Sequence, residues 1–115
     1  MGKFVIEPRV DGKFQFNLKA DNGQVILTSQ GYGVMASCLN GVESVRANAR
    51  SSEMFDKLRS TDGKFYFNLR ATNGQVIGTS EMYERASGMD GGILSVMQNA
   101  PDAIVEVLAE TTTTE

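Results

Sequence analysis

At 115 residues the chain has the length of one compact domain or of two small fused repeats. With 41% hydrophobic and 22% charged residues, 12 Gly and 2 Pro, it can bury a core without a metal or a disulfide, and disorder and collagen-like structure are excluded. The balance of 11 basic and 14 acidic residues, net −3, argues against a protein that lives by neutralising phosphates. The charge is uneven: residues 1–59 carry eight basic and six acidic side chains, residues 60–115 three and eight. Most such asymmetries are solvated surface. Cys38 is the only cysteine, so no intrachain disulfide forms. The opening MGKFVIEPRVDGKF lacks the apolar core of a signal peptide, and no apolar run approaches the ~20 residues of a bilayer span. A cytoplasmic location is expected.

In chain order, Phe4-Val5-Ile6 reads as a short strand. Phe14, Phe16, Leu18 and Ala20 then alternate with Gln15, Asn17 and Lys19, the period-2 pattern of a half-buried strand. Asn22-Gly23 follows, the pair that suits a type I′ hairpin turn because both central residues need positive φ. That register sets Ala20 against Val25, Leu18 against Leu27, and Asn17 against Thr28. The period then changes. Met35, Cys38, Val42, Val45 and Ala49 lie on one face of a helix ending near Asn48. Gly41 inside it costs ~1 kcal/mol of helix propensity, which close approach to the sheet would offset.

A second pass begins with a strand from Met54-Phe55 through Leu58. Phe65, Phe67, Leu69 and Ala71 alternate with Tyr66, Asn68 and Arg70, and Asn73-Gly74 turns the chain. The pairs expected here are Ala71 with Val76, Leu69 with Gly78, and Asn68 with Thr79. Ala86, Met89, Ile93, Val96 and Ala100 mark a second helix, stopped near Asn99 by Pro101 and weakened by Gly88, Gly91 and Gly92. Ile104–Leu108 reads as a last strand, and the Thr-rich tail, 111–115, is expected to be disordered.

The two passes are copies. At a shift of 51, Asp11–Ala49 aligns with Asp62–Ala100 without a gap, with 21 of 39 positions identical. Sixteen of the first 22 positions agree but only five of the last 17, so the hairpin half is the more tightly specified. The expected organisation is a first repeat at 1–51 and a second at 52–110, packed as one pseudo-symmetric domain.

GKFYFNLRATNGQVIGTSEMY with a helix ending in SVMQNA, and the first copy GKFQFNLKADNGQVILTSQGY, closely resemble the YegP-like family of small uncharacterised bacterial proteins. The resemblance spans roughly residues 3–108. The family occurs as single units that dimerise and as tandem pairs, and this chain looks like a tandem pair. The resemblance implies an α+β fold: two tandem β-β-β-α(-β) repeats forming one antiparallel sheet with two packed helices, the terminal strands exchanged between repeats. It brings no activity, cofactor or catalytic residue. Gly31, Gly33 and Val34 depart from the polar, cap-like residues usual at the first helix start.

Chemistry is sparse. There is no histidine, which removes the commonest general base and metal ligand. Cys38 sits on the apolar helix face where the second copy has Met89, and reads as a small buried hydrophobe rather than a nucleophile. Asp11 and Asp62 precede glycine and read as turn formers. No phosphate-binding glycine loop is present. Met35, Met89 and Met97 suit helix packing, and Ser29 and Ser80 are expected to cap or adjoin the helix starts. Neither a metal site nor a cofactor is expected.

One surface stands out. Asn17, Lys19, Thr28, Tyr66, Asn68, Arg70 and Thr79 should share the sheet face opposite the Phe-Phe-Leu stripe, with Gln15, Ile26 and Ile77 beside them. Such a face is either ordinary solvated surface or a binding surface. The leading expectation is a non-enzymatic cytoplasmic interaction module with an unknown protein partner. The alternative is a weak, salt-dependent single-stranded nucleic-acid binder using Lys13, Lys19, Lys64 and Arg70 beside Tyr66. An unrecognised enzyme comes third, no membrane association is expected, and the internal pseudo-two-fold favours a monomer.

Overall fold

The computed structural model describes residues 2–108, so the tail expectation at 111–115 lies outside the described residues. Its elements are β1 (Lys3–Pro8), β2 (Phe14–Lys19), β3 (Val25–Thr28), α1 (Met35–Asn48), β4 (Phe55–Arg59), β5 (Phe65–Arg70), β6 (Val76–Thr79), α2 (Ala86–Asn99) and β7 (Ile104–Val107). A 3-10 turn at Ser52–Met54 leads into β4. All seven strands form one sheet in the order β4-β5-β6-β3-β2-β1-β7. Each copy is a three-stranded meander, and the copies meet back to back where β3 pairs with β6 at Thr28 and Thr79.

The last strand departs from an all-antiparallel sheet. β7 follows α2 of the second copy but lies beside β1 of the first, and runs parallel to it. The terminal strand is thus exchanged between copies, and the sheet is mixed: antiparallel everywhere except this outer pair. A parallel neighbour needs a long crossover, and here everything from β2 to α2 supplies it.

The hairpins use a different turn from the one Asn-Gly suggests. Gly23 and Gly74 have φ of 85° and 88°, but no other residue type takes positive φ among the described residues. Gly23 N donates to Ala20 O at 2.9 Å and Ala20 N to Gln24 O at 2.9 Å. This is a three-residue loop, a type I turn followed by a left-handed glycine. Lys19 therefore pairs with Val25 instead of Ala20, and Arg70 with Val76 instead of Ala71. The ladder shifts between Leu18 and Lys19, and Ile26 is left as the extra residue of a bulge. Ile26 and Ile77, expected on the polar face, are instead only 6% exposed and belong to the core.

Both helices cover the same side of the sheet. Each crosses the seam: α1 touches β2, β5 and β6, and α2 touches β5 and β3. Under them, Phe4 meets Phe16 edge-on at 5.6 Å and Phe55 meets Phe67 likewise at 5.6 Å, while Tyr32 and Tyr83 stack on Phe16 and Phe67. Cys38, Val42 and Val45 of α1 and Met89, Ile93 and Val96 of α2 complete one continuous core. Cys38 is fully buried, and burial pushes its thiol pKa up, so it packs as a hydrophobe.

Ser29 and Ser80 have a role that spacing alone does not suggest. They lie several residues before the helices, whose first turns carry no side-chain cap. Each hydroxyl accepts the backbone N–H of a core phenylalanine, Phe16 or Phe67, at 2.9 Å. The serines thus satisfy buried donors where β3 and β6 leave the ladder.

Candidate functional site: the bare face of the sheet

The side opposite the helices carries one row of side chains that crosses all seven strands. Successive backbone pairs run Glu106–Val5, Val5–Asn17, Asn17–Thr28, Thr28–Thr79, Thr79–Asn68 and Asn68–Asp56. The pseudo-two-fold passes between the two threonines. On either side of it a threonine hydroxyl donates to an asparagine: Thr28 Oγ1 to Asn17 Oδ1 and Thr79 Oγ1 to Asn68 Oδ1, both at 2.8 Å. Asn17 Nδ2 passes the chain on to Glu7 Oε2 at 3.1 Å. The second copy has Leu58 where the first has Glu7, so this last link is not repeated. Strand geometry explains the row: odd-numbered residues of β2 and even-numbered residues of β5 point away from the helices.

All seven candidate residues lie on this face and are half-buried. Asn17, Thr28, Asn68 and Thr79 form its centre. Lys19 flanks them on β2, and Arg70 and Tyr66 flank them on β5. Arg70 is not a free cation: its Nε donates to Asp56 Oδ2 at 2.7 Å and its Nη2 to the Glu53 carbonyl at 3.0 Å. The Asp56 carboxylate pushes the Arg70 pKa further up. Lys3, the backbone partner of Lys19, is tied to Glu106 at 2.9 Å. Lys19 makes no ion pair among the described residues.

Among the described strand residues the face therefore holds three cations, Lys3, Lys19 and Arg70, against three carboxylates, Glu7, Asp56 and Glu106, with Asp21 of the first hairpin loop at the edge of its recess. Lys13 and Lys64, also named as candidate cations, sit at the hairpin ends, where Lys64 pairs with Glu84 at 3.4 Å. Two recesses break the surface. One, of about 500 Å³, lies between β2, β1 and β7, lined by Lys3, Val5, Lys19, Ile104 and Glu106. The other, of about 370 Å³, opens at the seam beside Thr28 and Thr79, where β3 and β6 part after a single pair.

Sequence reasoning missed the carboxylates that balance this face. Glu7, Asp56 and Glu106 lie on flanking strands whose neighbours were not assigned, so no spacing connected them to Asn17 or Arg70. It also missed Arg46. That side chain reaches from α1 to donate to the Ala103 carbonyl at 2.5 Å and lies 5.6 Å over the Phe4 ring. The available signal was the mismatch of Arg46 with Met97 in the second copy. Among the described residues, no group of histidine, cysteine and acidic side chains could hold a metal.

A single layer of sheet, two helices on one side and an open polar surface on the other, all built twice from one unit, define a tandem-repeat α+β domain. The chain belongs to the family described as "Domain of unknown function (DUF1508)", whose pattern matches twice, at residues 10–56 and 60–106. A UPF0339 protein encoded in the 5′ region of the ptx operon of Stutzerimonas stutzeri is 50% identical over 107 residues, covering 92% of this chain and 96% of that one. The UPF0339 protein YegP of Escherichia coli K12 is 43% identical over 105 residues, covering 91% and 96%. The solution structure of YegP from E. coli, described as a protein of unknown function, superimposes with a TM-score of 0.88 at 42% identity, covering 92% of this chain and 91% of that one. A UPF0339 protein of Shewanella oneidensis gives the same TM-score at 40% identity, covering 93% and 91%. These relatives carry family names and no stated activity.

Proposed function

We propose that the protein is a non-enzymatic interaction module that binds a protein partner through the bare face of its sheet, working as a monomer in the cytoplasm. The observation that carries this reading is the unbroken cross-strand row from Glu106 to Asp56, left uncovered on the side away from both helices. Its asparagines and threonines are held in place by one another, which lowers the ordering cost of binding. The even charge balance favours a protein over a nucleic acid, because phosphate binding needs cations that are not already neutralised. The buried free thiol of Cys38 suits a reducing compartment, and no described helix is long and apolar enough to cross a membrane.

The test compares capture from cell lysate by the wild-type chain and by a Lys19→Glu/Tyr66→Ser variant. Neither substitution touches the core or an ion pair, so a thermal melt should show the variant folded. Partners retained by the wild type and lost by the variant support the reading. An identical set retained by both counts against it. Salt-sensitive amide shifts on Lys19, Thr28 and Asn68 with single-stranded RNA or DNA would instead assign the face to nucleic acid.

A further inference from the structure

The two outer strands of the meanders, β1 and β4, are equivalent by the 51-residue repeat, yet their outer edges are treated differently. β1 is covered. β7 lies along it in parallel, with Ile104 N donating to Gly2 O at 3.3 Å and Leu108 N to Ile6 O at 2.8 Å. Just before β7, Ala103 is 2% exposed and belongs to the core, with its carbonyl held by Arg46 of α1. Arg46 closes the lid by donating to the Ala103 carbonyl and lying over Phe4.

β4 is the end of the sheet, and no strand pairs with its outer edge among the described residues. At its start the Phe55 N–H donates to the Ser52 carbonyl of the preceding 3-10 turn and the Glu53 carbonyl accepts from Arg70, so the edge open to a partner begins beyond the Phe55 N–H. Phe55 and Lys57 occupy the repeat positions of Phe4 and Ile6, whose outward backbone groups face β7. Beside them a hollow of about 210 Å³ opens between β4, the 3-10 turn and α2, walled by Ser52, Phe55, Ile93, Leu94 and Met97. Leu94 is 57% exposed. The Lys57–Asp90 ion pair, at 3.0 Å, closes one end. Met97 stands where Arg46 stands in the first copy, so this hollow has no cationic lid.

We infer that the open edge of β4 and the adjoining hollow bind an extended partner peptide, added as a parallel eighth strand with a small residue seated in the hollow. The template is the chain's own segment 101–108, which fills the equivalent place on β1. Edge addition supplies backbone hydrogen bonds, and the hollow selects the side chain. The occupant is a partner peptide rather than a second copy. Two β4 strands meeting antiparallel around Lys57 would set like charges against each other, a device that keeps sheet edges from self-pairing. This surface is separate from the bare face and does not depend on it.

The test is an amide NMR titration of the whole chain with a synthetic peptide of the sequence PDAIVEVL. The expected result is saturable shifts on Phe55–Arg59 and on Ile93, Leu94 and Met97. Lys57→Pro removes one outward donor from an edge strand, and Leu94→Asp puts a charge on the wall; each should weaken binding roughly tenfold or more. Met97→Arg restores the lid and should tighten it severalfold. No shifts on β4 at millimolar peptide would overturn the proposal. So would shifts confined to Lys3–Pro8, which report displacement of β7, or equal shifts from a scrambled peptide.

Discussion

The Tyr32 ring packs against the backbone of Gly41 so closely that a Cβ on the glycine would stand 2.8 Å from Tyr32 Cζ and 3.2 Å from Phe16 Cε2. The second copy repeats the relation at Gly92, 2.7 Å from Tyr83 Cζ and 3.2 Å from Phe67 Cε2. Gly41 and Gly92 are among the few helix positions the copies share, and the tyrosine is the reason. Gly41→Ala or Gly92→Ala should destabilise: overpacking costs ~1–3 kcal/mol, against ~1 kcal/mol regained in helix propensity. Gly91, in the same helix, has nothing within 4 Å of its would-be Cβ. Gly91→Ala should therefore stabilise by ~0.5–1 kcal/mol. Urea midpoints of the three variants decide it.

Where the copies meet, the repeat breaks its own sequence. Leu27 and Gly78 are equivalent positions, and a Cβ at Gly78 would stand 2.6 Å from Leu27 Cδ2 and 2.7 Å from its Cγ. One leucine fills space that two would overfill. Gly78→Ala should cost ~1–3 kcal/mol, and the loss should shrink in a Leu27→Ala background. A double-mutant cycle by chemical denaturation measures the coupling. Additive losses would show that the two sites do not share this space.

Ser29→Ala leaves the Phe16 N–H without its acceptor, and Ser80→Ala does the same to Phe67. Each should lower stability by ~1–3 kcal/mol, the cost of stranding a buried donor. Hydrogen exchange at Phe16 or Phe67 should speed up in the matching variant and not in the other.

Alkaline pH should weaken the fold. Burial raises the pKa of Tyr32 and Tyr83 above the ordinary 10.0 and that of Cys38 above 9.0. Below their unfolded values all three are neutral in both states, and their contribution is complete. As pH climbs past 9 and then 10, the unfolded chain releases protons that the folded chain keeps, and stability drains away until the folded pKa values are passed. Thermal midpoints from pH 8 to 11 should fall, and fall less in a Tyr32→Phe/Tyr83→Phe variant.

Much of this architecture is legible in the sequence because it is local. The Phe14-to-Ala20 alternation and the three-four spacing from Met35 to Ala49 each fix an element by its own period, and the 51-residue shift reveals the duplication. Non-local features were beyond that reach. Nothing near Ile104 in the chain says that β7 runs parallel to β1, because its partner is a hundred residues away. Asn22-Gly23 announced a hairpin, yet one added loop residue moved Lys19 opposite Val25 and turned Ile26 into the core. For the candidate face, period 2 put Asn17, Thr28, Asn68 and Thr79 together, while the carboxylates that neutralise Lys3 and Arg70 became visible only once the flanking strands were in register.

The most direct test is photo-cross-linking in cells, with a photoreactive residue placed singly at Gln15, Lys19 or Tyr66 on the bare face, or at Ser37 or Glu43 on the outer side of α1, away from the β4 hollow. Discrete protein adducts are expected from the first three positions and none from the last two. Adducts from Ser37 or Glu43 alone, or an identical pattern from all five, would contradict the claim that the bare face binds a protein partner.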